Sequence, residues 1–454
     1  MKRWLDRLGL GRPELRAWAM YDWANSAMVT TITAAVFPIY YVRVAGANLD
    51  PAQATQSYAA ATTLGLTIIA VLAPILGTIA DYVAIKKRLL GTFMGIGVSA
   101  VAMMYFIHHG DLLLASVLFI LANIGVNGSF VFYEALLPHV AGKAEMDRVS
   151  TAAYALGYIG GGLLLALQLA WIMSPGTFGL PAGEGLTPAE STLPSRVAFL
   201  SVAVWWVVFS IPLFRVIPEP PVRLEEHERP GENPVKAAFR RLRETFRELR
   251  GYRPAFLMLV AFLIYNDGIG TIIRMATAYG TELGIGENAL IGAIMMVQFV
   301  GVPFSFLFGM LAGKIGTRPS IFVGLSVYVV ISVLGYFMRD GGDFMRLAFL
   351  VGMVQGGTQA LSRSLFASMI PRHKSGEFFG FWSVFEKFAG IFGPLLFTIT
   401  IAATGSSRNA ILSVIIFFVV GAILLAFVDV EEGRRTALEE EARYGPHGDR
   451  QGAT

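Results

Sequence analysis

Twelve stretches of mostly apolar residues, near 17–43, 58–82, 89–107, 112–137, 149–173, 195–216, 254–280, 288–312, 319–338, 345–370, 376–403 and 408–429, leave this chain few ways to fold. Each is about 20 residues or longer, enough to cross a hydrocarbon core of roughly 30 Å as a helix. Inside lipid no water satisfies a free backbone N–H or C=O, so spans of this kind must be helical. The composition agrees: 55% of the 454 residues are hydrophobic and only 15% charged, where soluble proteins carry about a quarter. The fold class that follows is an all-α membrane protein of twelve transmembrane helices, with both termini on one side.

The positions of Lys and Arg fix the expected orientation. On the side of the termini fall 28 of the 36, on the opposite side five (Arg43, Arg196, Arg339, Arg346, Arg408), and three (Arg274, Arg363, Lys387) lie within spans. Both termini are therefore expected in the cytoplasm, and the plasma (inner) membrane of a prokaryote is the expected location. The basic balance needs no nucleic acid, since inner-face charges are drawn to anionic lipid. The start, "MKRWLDRLGLGRPELR", lacks a short apolar core with a small-residue cleavage site, so no removable signal peptide is expected and the mature chain is expected to begin near Met1.

The chain also reads as two copies of one unit. "GTIADYVAIKKR" at 77–88 follows span two and "GMLAGKIGTRPS" at 309–320 follows span eight, sharing Gly-x-x-Ala and a basic residue, Lys86 or Arg318, nine positions after the first Gly, at an offset of 232. The prolines that close spans four and ten, Pro138 and Pro371, are offset by 233. Two six-helix halves related as parallel repeats are expected, at 1–216 and 254–430. Between them, 217–253 carries Val235, Phe239, Leu242, Phe246 and Leu249 on one helical face with arginines opposite, the pattern of a helix lying on the membrane surface or under the bundle. A partner-binding helix is the alternative there. The outer loop 174–194 and the charged tail 431–454 read as irregular or disordered.

These motifs resemble the major facilitator superfamily of secondary transporters: twelve spans in two halves, a long central loop and G-x-x-A-D-x-x-x-x-K-K-R after span two. "YDWANSA" in span one, "YNDGIGT" in span seven and "QALSRSLFASMIP" in span ten are similar to its vacuole-effluxer-like branch, whose fungal members are autophagy-linked exporters of amino acids. The resemblance implies alternating access and efflux of a small polar or amphipathic solute such as an amino acid. Two departures matter. Gly313 stands where the first half has Asp81, and Gly162 stands where an antiporter motif would have proline, which argues against a drug–proton antiporter.

Ionisable side chains within spans are costly towards lipid and normally face a bundle interior or a watery cavity. By depth, Asp22 lies ~9 Å in from Arg16, Glu386 ~15 Å in and Asp267 ~21 Å in. Glu134 and Arg363, just before Pro138 and Pro371, lie in the inner third and could pair across the halves. With Gly77, Asp81, Lys86, Arg88 and Arg318 they form the expected gate: Gly77 permits close helix approach, Asp81 can accept from the first turn of a facing helix, and the basic residues meet headgroups. The expected substrate and proton pathway comprises Asp22, Asn25, Asn127, Asp267, Gln355, Gln359 and Glu386, because Gln355, Gln359 and Arg363 share a face of span ten, Asn123, Asn127 and Glu134 one of span four, and Asp22 and Asn25 one of span one. Asp267 or Glu386 is expected to carry a coupling proton. Tyr154, Tyr158 and Trp382 are either packing or stacking groups.

No phosphate loop of the G-x-x-x-x-G-K-[ST] type occurs, cysteine is absent, and the six histidines lack metal-ligand spacing. Neither enzymatic chemistry, cofactor nor metal is expected; the expected partners are a small-molecule substrate, protons and membrane lipids, with the chain acting as a monomer. A proton-coupled importer of sugars or peptides, and a non-transporting scaffold or lipid scramblase, remain as alternatives.

Overall fold

A computed structural model describes Leu5 and residues 8–443 except 50, 143–144, 222–251, 284, 286 and 405. Among these residues all regular secondary structure is helical. Twelve long helices alternate in direction: α1 Pro13–Ala45, α2 Pro51–Val83, α3 Lys86–Met103, α4 Leu112–Val140, α5 Met146–Met173, α6 Leu193–Val216, α7 Arg253–Glu282, α8 Glu287–Ile315, α9 Thr317–Phe337, α10 Gly341–Ser368, α11 Ser375–Thr404 and α12 Ile415–Ala426, the last preceded by a turn at Ser407–Ser413. Ten spans among the described residues are long and apolar enough to cross a membrane, the last being Arg408–Ala426, which takes in the turn before α12. The other two, α10 and α11, are 28 and 30 residues long, and α10 is less apolar because Gln355, Gln359 and Arg363 point into the bundle.

The face that carries the start of α1 and the end of α12 is called here the near face, the opposite one the far face. α1–α6 and α7–α12 pack as two halves that meet along two seams, α2 against α11 and α5 against α8. Within the first half α3 and α4 touch backbone to backbone: a Cβ on Gly125 would lie 2.4 Å from the Cα of Gly97, the close approach that small residues allow in membranes.

Helix α1 is not uniformly wound. Val29–Ala35 and Tyr41–Ala45 take the wider π pitch. The β-branched run Val29-Thr-Thr-Ile-Thr33 and Pro38, which cannot donate to a carbonyl one turn back, account for the first of these. The widened turn carries Val29, Thr30 and Ala34 into the wall of the central cavity described below.

Four expectations differ from the structure. Pro138 sits inside the last turn of α4, which runs on to Val140. The outer loop contains two short helical turns, Pro175–Phe178 and Pro188–Ser191, the second closed by a capping box in which Glu190 accepts from the Thr187 N–H at 2.9 Å. The tail is not irregular from 431: Val430–Arg443 forms a helix, α13. Docking explains it, for Glu441 accepts from the Arg372 N–H (3.1 Å), Arg434 donates to Ser368 (3.3 Å) and Ala437 is fully buried. Lastly, Lys86 does not reach headgroups but is buried. The amphipathic segment at 235–249 lies outside the described residues, as does 444–454.

Candidate functional site

A cavity of about 510 Å³ lies between the halves, within the range of small-molecule sites. Its first-half wall is Asp22, Ser26, Thr30, Asn127, Glu134, Tyr154 and Tyr158. Second-half side chains supply Gln298, Gln355, Gln359 and Glu386 and an apolar flank of Ile272, Ile294, Val297 and Leu347, continuing to Met338 and Phe344 near the far ends of α9 and α10. Gln298 Nε2 donates across to Thr30 Oγ1 at 3.2 Å, and Gln359 Nε2 to Asn266 Oδ1 at 3.3 Å.

Towards the near face two residues of the cavity wall, Asp22 and Tyr154, contact Arg363, which is only 2% exposed and packs behind them. Asp22 reaches this guanidinium, with Oδ2 3.3 Å from Nη2 and 3.4 Å from Nη1, and Glu134, the partner expected from the sequence, lines the same cavity. Arg363 Nε donates to Ser150 Oγ (3.0 Å) and Nη2 to the Ser150 carbonyl (3.2 Å). Three ring faces surround it: Tyr154 at 4.6 Å, Trp18 at 4.9 Å and Tyr133 at 5.8 Å from Cζ to centroid, all within cation–π reach. Every one of these partners belongs to the first half. Trp18 and Ser150 escaped the sequence reading, although Trp18 stands four residues before Asp22 and Ser150 four before Tyr154, the spacing that puts side chains on one face.

Closer to the near face both seams carry polar contacts. In the α2–α11 seam Asp81 and Lys86, 3% and 4% exposed, pair at 2.5 Å. Lys86 Nζ lies 3.2 Å from His139 Nε2, which lies 3.2 Å from Ser375 Oγ, and Ser375 donates to the Ala135 carbonyl at 3.0 Å. The first turn of α11 rests directly on Gly77 and Asp81, where the positive end of the helix dipole favours a carboxylate. A Cβ on Gly376 would stand 2.5 Å from the Gly77 carbonyl and 2.9 Å from both Asp81 oxygens. Gly376→Val is therefore expected to weaken this seam by about 1–3 kcal/mol through overpacking. A thiol probe on Ala135→Cys, at a position fully buried in the parent, should react faster in the valine variant; unchanged protection would show that the seam carries no closing strain.

The α5–α8 seam answers the asymmetry at Gly313. Its acid comes from the facing helix: Asp147, in the first turn of α5, accepts from Thr317 Oγ1 at 2.6 Å and from Ser364 Oγ. Gly309 takes the place of Gly77, since a Cβ there would lie 2.2 Å from Thr151 Oγ1.

The remaining expected residues divide. Asn127, Gln355, Gln359 and Glu386 line the cavity with Asp22. Asn25 is fully buried and does not line it. Asp267 is also off the cavity: it is 1% exposed and packs between α7 and α11, where a Cβ on Gly393 would lie 2.9 Å from its Oδ1. Its side chain lies on the face of α7 that packs against α11 and not on the cavity, the place expected from the sequence. Arg318 donates to the Val428 carbonyl at 2.6 Å within the second half, capping the end of α12. Arg88 is exposed. Tyr158 sends its ring into a slot of the second half left by Gly301 and Gly356, whose Cβ atoms would stand 2.9 and 2.5 Å away. Trp382 is packing, stacked 3.9 Å from Phe262. The side chains of Arg274 and Lys387 lie outside the described residues.

A family model described as vacuole effluxer Atg22 like matches residues 11–438. The uncharacterized MFS-type transporter YxiO of Bacillus subtilis is 40% identical over 417 residues, spanning 91% of this chain and 94% of that protein. Autophagy-related protein 22 of Yarrowia lipolytica is 27% identical over 316 residues, 64% of this chain and 51% of its own length, so this chain spans about half of that fungal relative. Among solved structures, the proton:xylose symporter XylE bound to 6-bromo-6-deoxy-D-glucose superposes with a TM-score of 0.65 at 14% identity, covering 97% of this chain and 99% of that one. At that identity the likeness shows the fold alone, the twelve-helix major facilitator fold.

Proposed function

The chain belongs to the vacuole effluxer Atg22-like family of major facilitator transporters, and on that premise we propose that it exports a small amphipathic solute, such as an amino acid, from the cytoplasm by alternating access. The near face is then cytoplasmic, in the inner membrane of a prokaryote, and the state described here is closed to the cytoplasm. The observation that carries this reading is the cavity between the halves, walled by carboxylates of both, Asp22 and Glu134 from the first and Glu386 from the second, with Arg363 of the second half paired to Asp22 behind that wall. A non-transporting scaffold would have no use for such a cavity. Loading from the cytoplasm parts the α2–α11 and α5–α8 seams and withdraws Arg363 from the first half; closing them again delivers the solute to the far side.

Glu386 is the group placed to carry a coupling proton, since it borders the solute space in the half that moves relative to Asp22, whereas Asp267 is held between helices. In liposomes containing the purified protein, a pH gradient is expected to drive amino-acid flux in the parent, and Glu386→Gln is expected to lose the gradient dependence and about 90% of the driven rate, the scale of losing one positioned proton carrier. Asp267→Asn is expected to affect it less. Full gradient-driven flux in both variants would overturn the coupling, and a panel of amino acids that neither move nor shift the melting temperature would overturn the substrate class.

A further inference from the structure

The surroundings of Arg363 are those of a receptor for an organic cation. Trp18, Tyr133 and Tyr154 present three ring faces within 4.6–5.8 Å of its guanidinium carbon, and Asp22 supplies the counter-charge at 3.3 Å. Such a box binds ammonium and guanidinium groups by cation–π attraction and charge. The box is built without Arg363: Trp18 Nε1 donates to the Tyr133 carbonyl at 2.9 Å, and the two rings stack at 4.4 Å with planes 14° apart. These walls stand on α1, α4 and α5, all in the first half, while Arg363 comes from α10 in the second. Asp22 and Tyr154 also line the central cavity, so the box opens onto the solute space.

We propose that this box is the binding site for the cationic head of the solute, an ammonium or guanidinium group, and that Arg363 fills it in the present state as an internal competitor. The proposal rests on the exporter reading above and extends it to the chemistry of the cargo. When the near side opens, Arg363 leaves with α10. Asp22 is then an uncompensated carboxylate facing the cavity between three aromatic faces, and a solute cation entering from that side takes the vacated place. Its apolar body lies on Ile272, Ile294 and Val297 of the opposite wall. Closure returns Arg363 to the box and displaces the head, so release is tied to the closing movement itself. An anionic solute meets Asp22 and is rejected.

Competition of this kind gives a signed prediction, because occupancy by an internal ligand reduces the fraction of protein competent to bind. The probe is n-butylguanidinium, with n-butylurea as its uncharged isostere, titrated calorimetrically into the full-length protein in nanodiscs. Arg363→Met, which keeps volume and removes the competitor, is expected to lower the Kd for n-butylguanidinium about tenfold or more. Asp22→Asn added to it is expected to cancel that gain, and n-butylurea is expected to bind none of the three differently. A second measurement leaves Arg363 in place: n-butylguanidinium should slow disulfide formation between Thr151→Cys and Gly309→Cys across the α5–α8 seam, and n-butylurea should not. Equal affinity of the parent and Arg363→Met, equal affinity with and without Asp22, or a cross-linking rate indifferent to the cation would each overturn the proposal. If that happens while liposomes still exchange an uncharged solute, the exporter reading stands without the cation; if nothing is exchanged, the exporter reading itself has failed.

Discussion

Asp22→Asn is expected to destabilise the protein by about 3–5 kcal/mol, the cost of leaving one member of a buried ion pair without its partner. The size follows from burial: the side chains of Arg363 and Asp22 are 2% and 8% exposed, so water cannot replace the missing charge. The three ring faces over the guanidinium and the two hydrogen bonds to Ser150 offset part of the loss, which places the result towards the lower end. Adding Arg363→Met removes the orphaned charge and fills its volume, and this double variant is expected to regain most of the lost stability, as buried pairs replaced by apolar groups commonly do. Flux is expected to stay low in both, because the double variant restores packing but not a plug that enters and leaves the first half. Thermal unfolding in one detergent, followed by flux in liposomes, separates the two effects. A single variant within about 1 kcal/mol of the parent would mean that the pair behaves as a solvated surface bridge and seals nothing.

Much of this arrangement is legible in the sequence because the membrane makes polarity informative. An amide or acid within an apolar span has few places to go, and Asn127, Gln355, Gln359 and Glu386 all border the cavity. Depth is legible too, since a helix rises a fixed distance per residue. Azimuth is what fails. Adjacent residues on a helix diverge by about 100°, and which face of α7 meets α11 is set by packing between helices far apart in sequence; Asp267 lies on the face turned to α11. The same gap hides the contact between Asp22 and Arg363, because depth alone does not say which faces of α1 and α10 meet. The π-wound turns of α1 add a further rotation that no fixed periodicity anticipates. Helix α13 escapes for another reason: its charge reads as a solvated tail although its Ala, Leu, Glu and Arg residues favour helix, and contacts with Ser368 and Arg372 supply the stabilisation that isolated short helices lack.

A disulfide between Thr151→Cys and Gly309→Cys is expected to trap the present state and to cut flux on the order of 100-fold, with recovery on reduction. The geometry suits it, because a Cβ built on Gly309 stands 3.2 Å from the Thr151 Cβ, and a shift of a few tenths of an ångström brings the pair into the 3.5–4.5 Å range of disulfides. The background is clean, since the chain has no native cysteine. A bond here joins α5 to α8, and so ties the halves together directly under the Asp147–Thr317 contact. The near side cannot open while it holds, however favourable the solute gradient, because a covalent bond removes the alternative state from the ensemble instead of shifting its population. On the alternating-access reading both seams must part in one movement. If the cross-linked protein, shown by mobility shift to be fully oxidised, still exchanges solute at the reduced rate, the halves do not part at this seam, and the closing role assigned to Arg363, Asp81 and Asp147 falls with it.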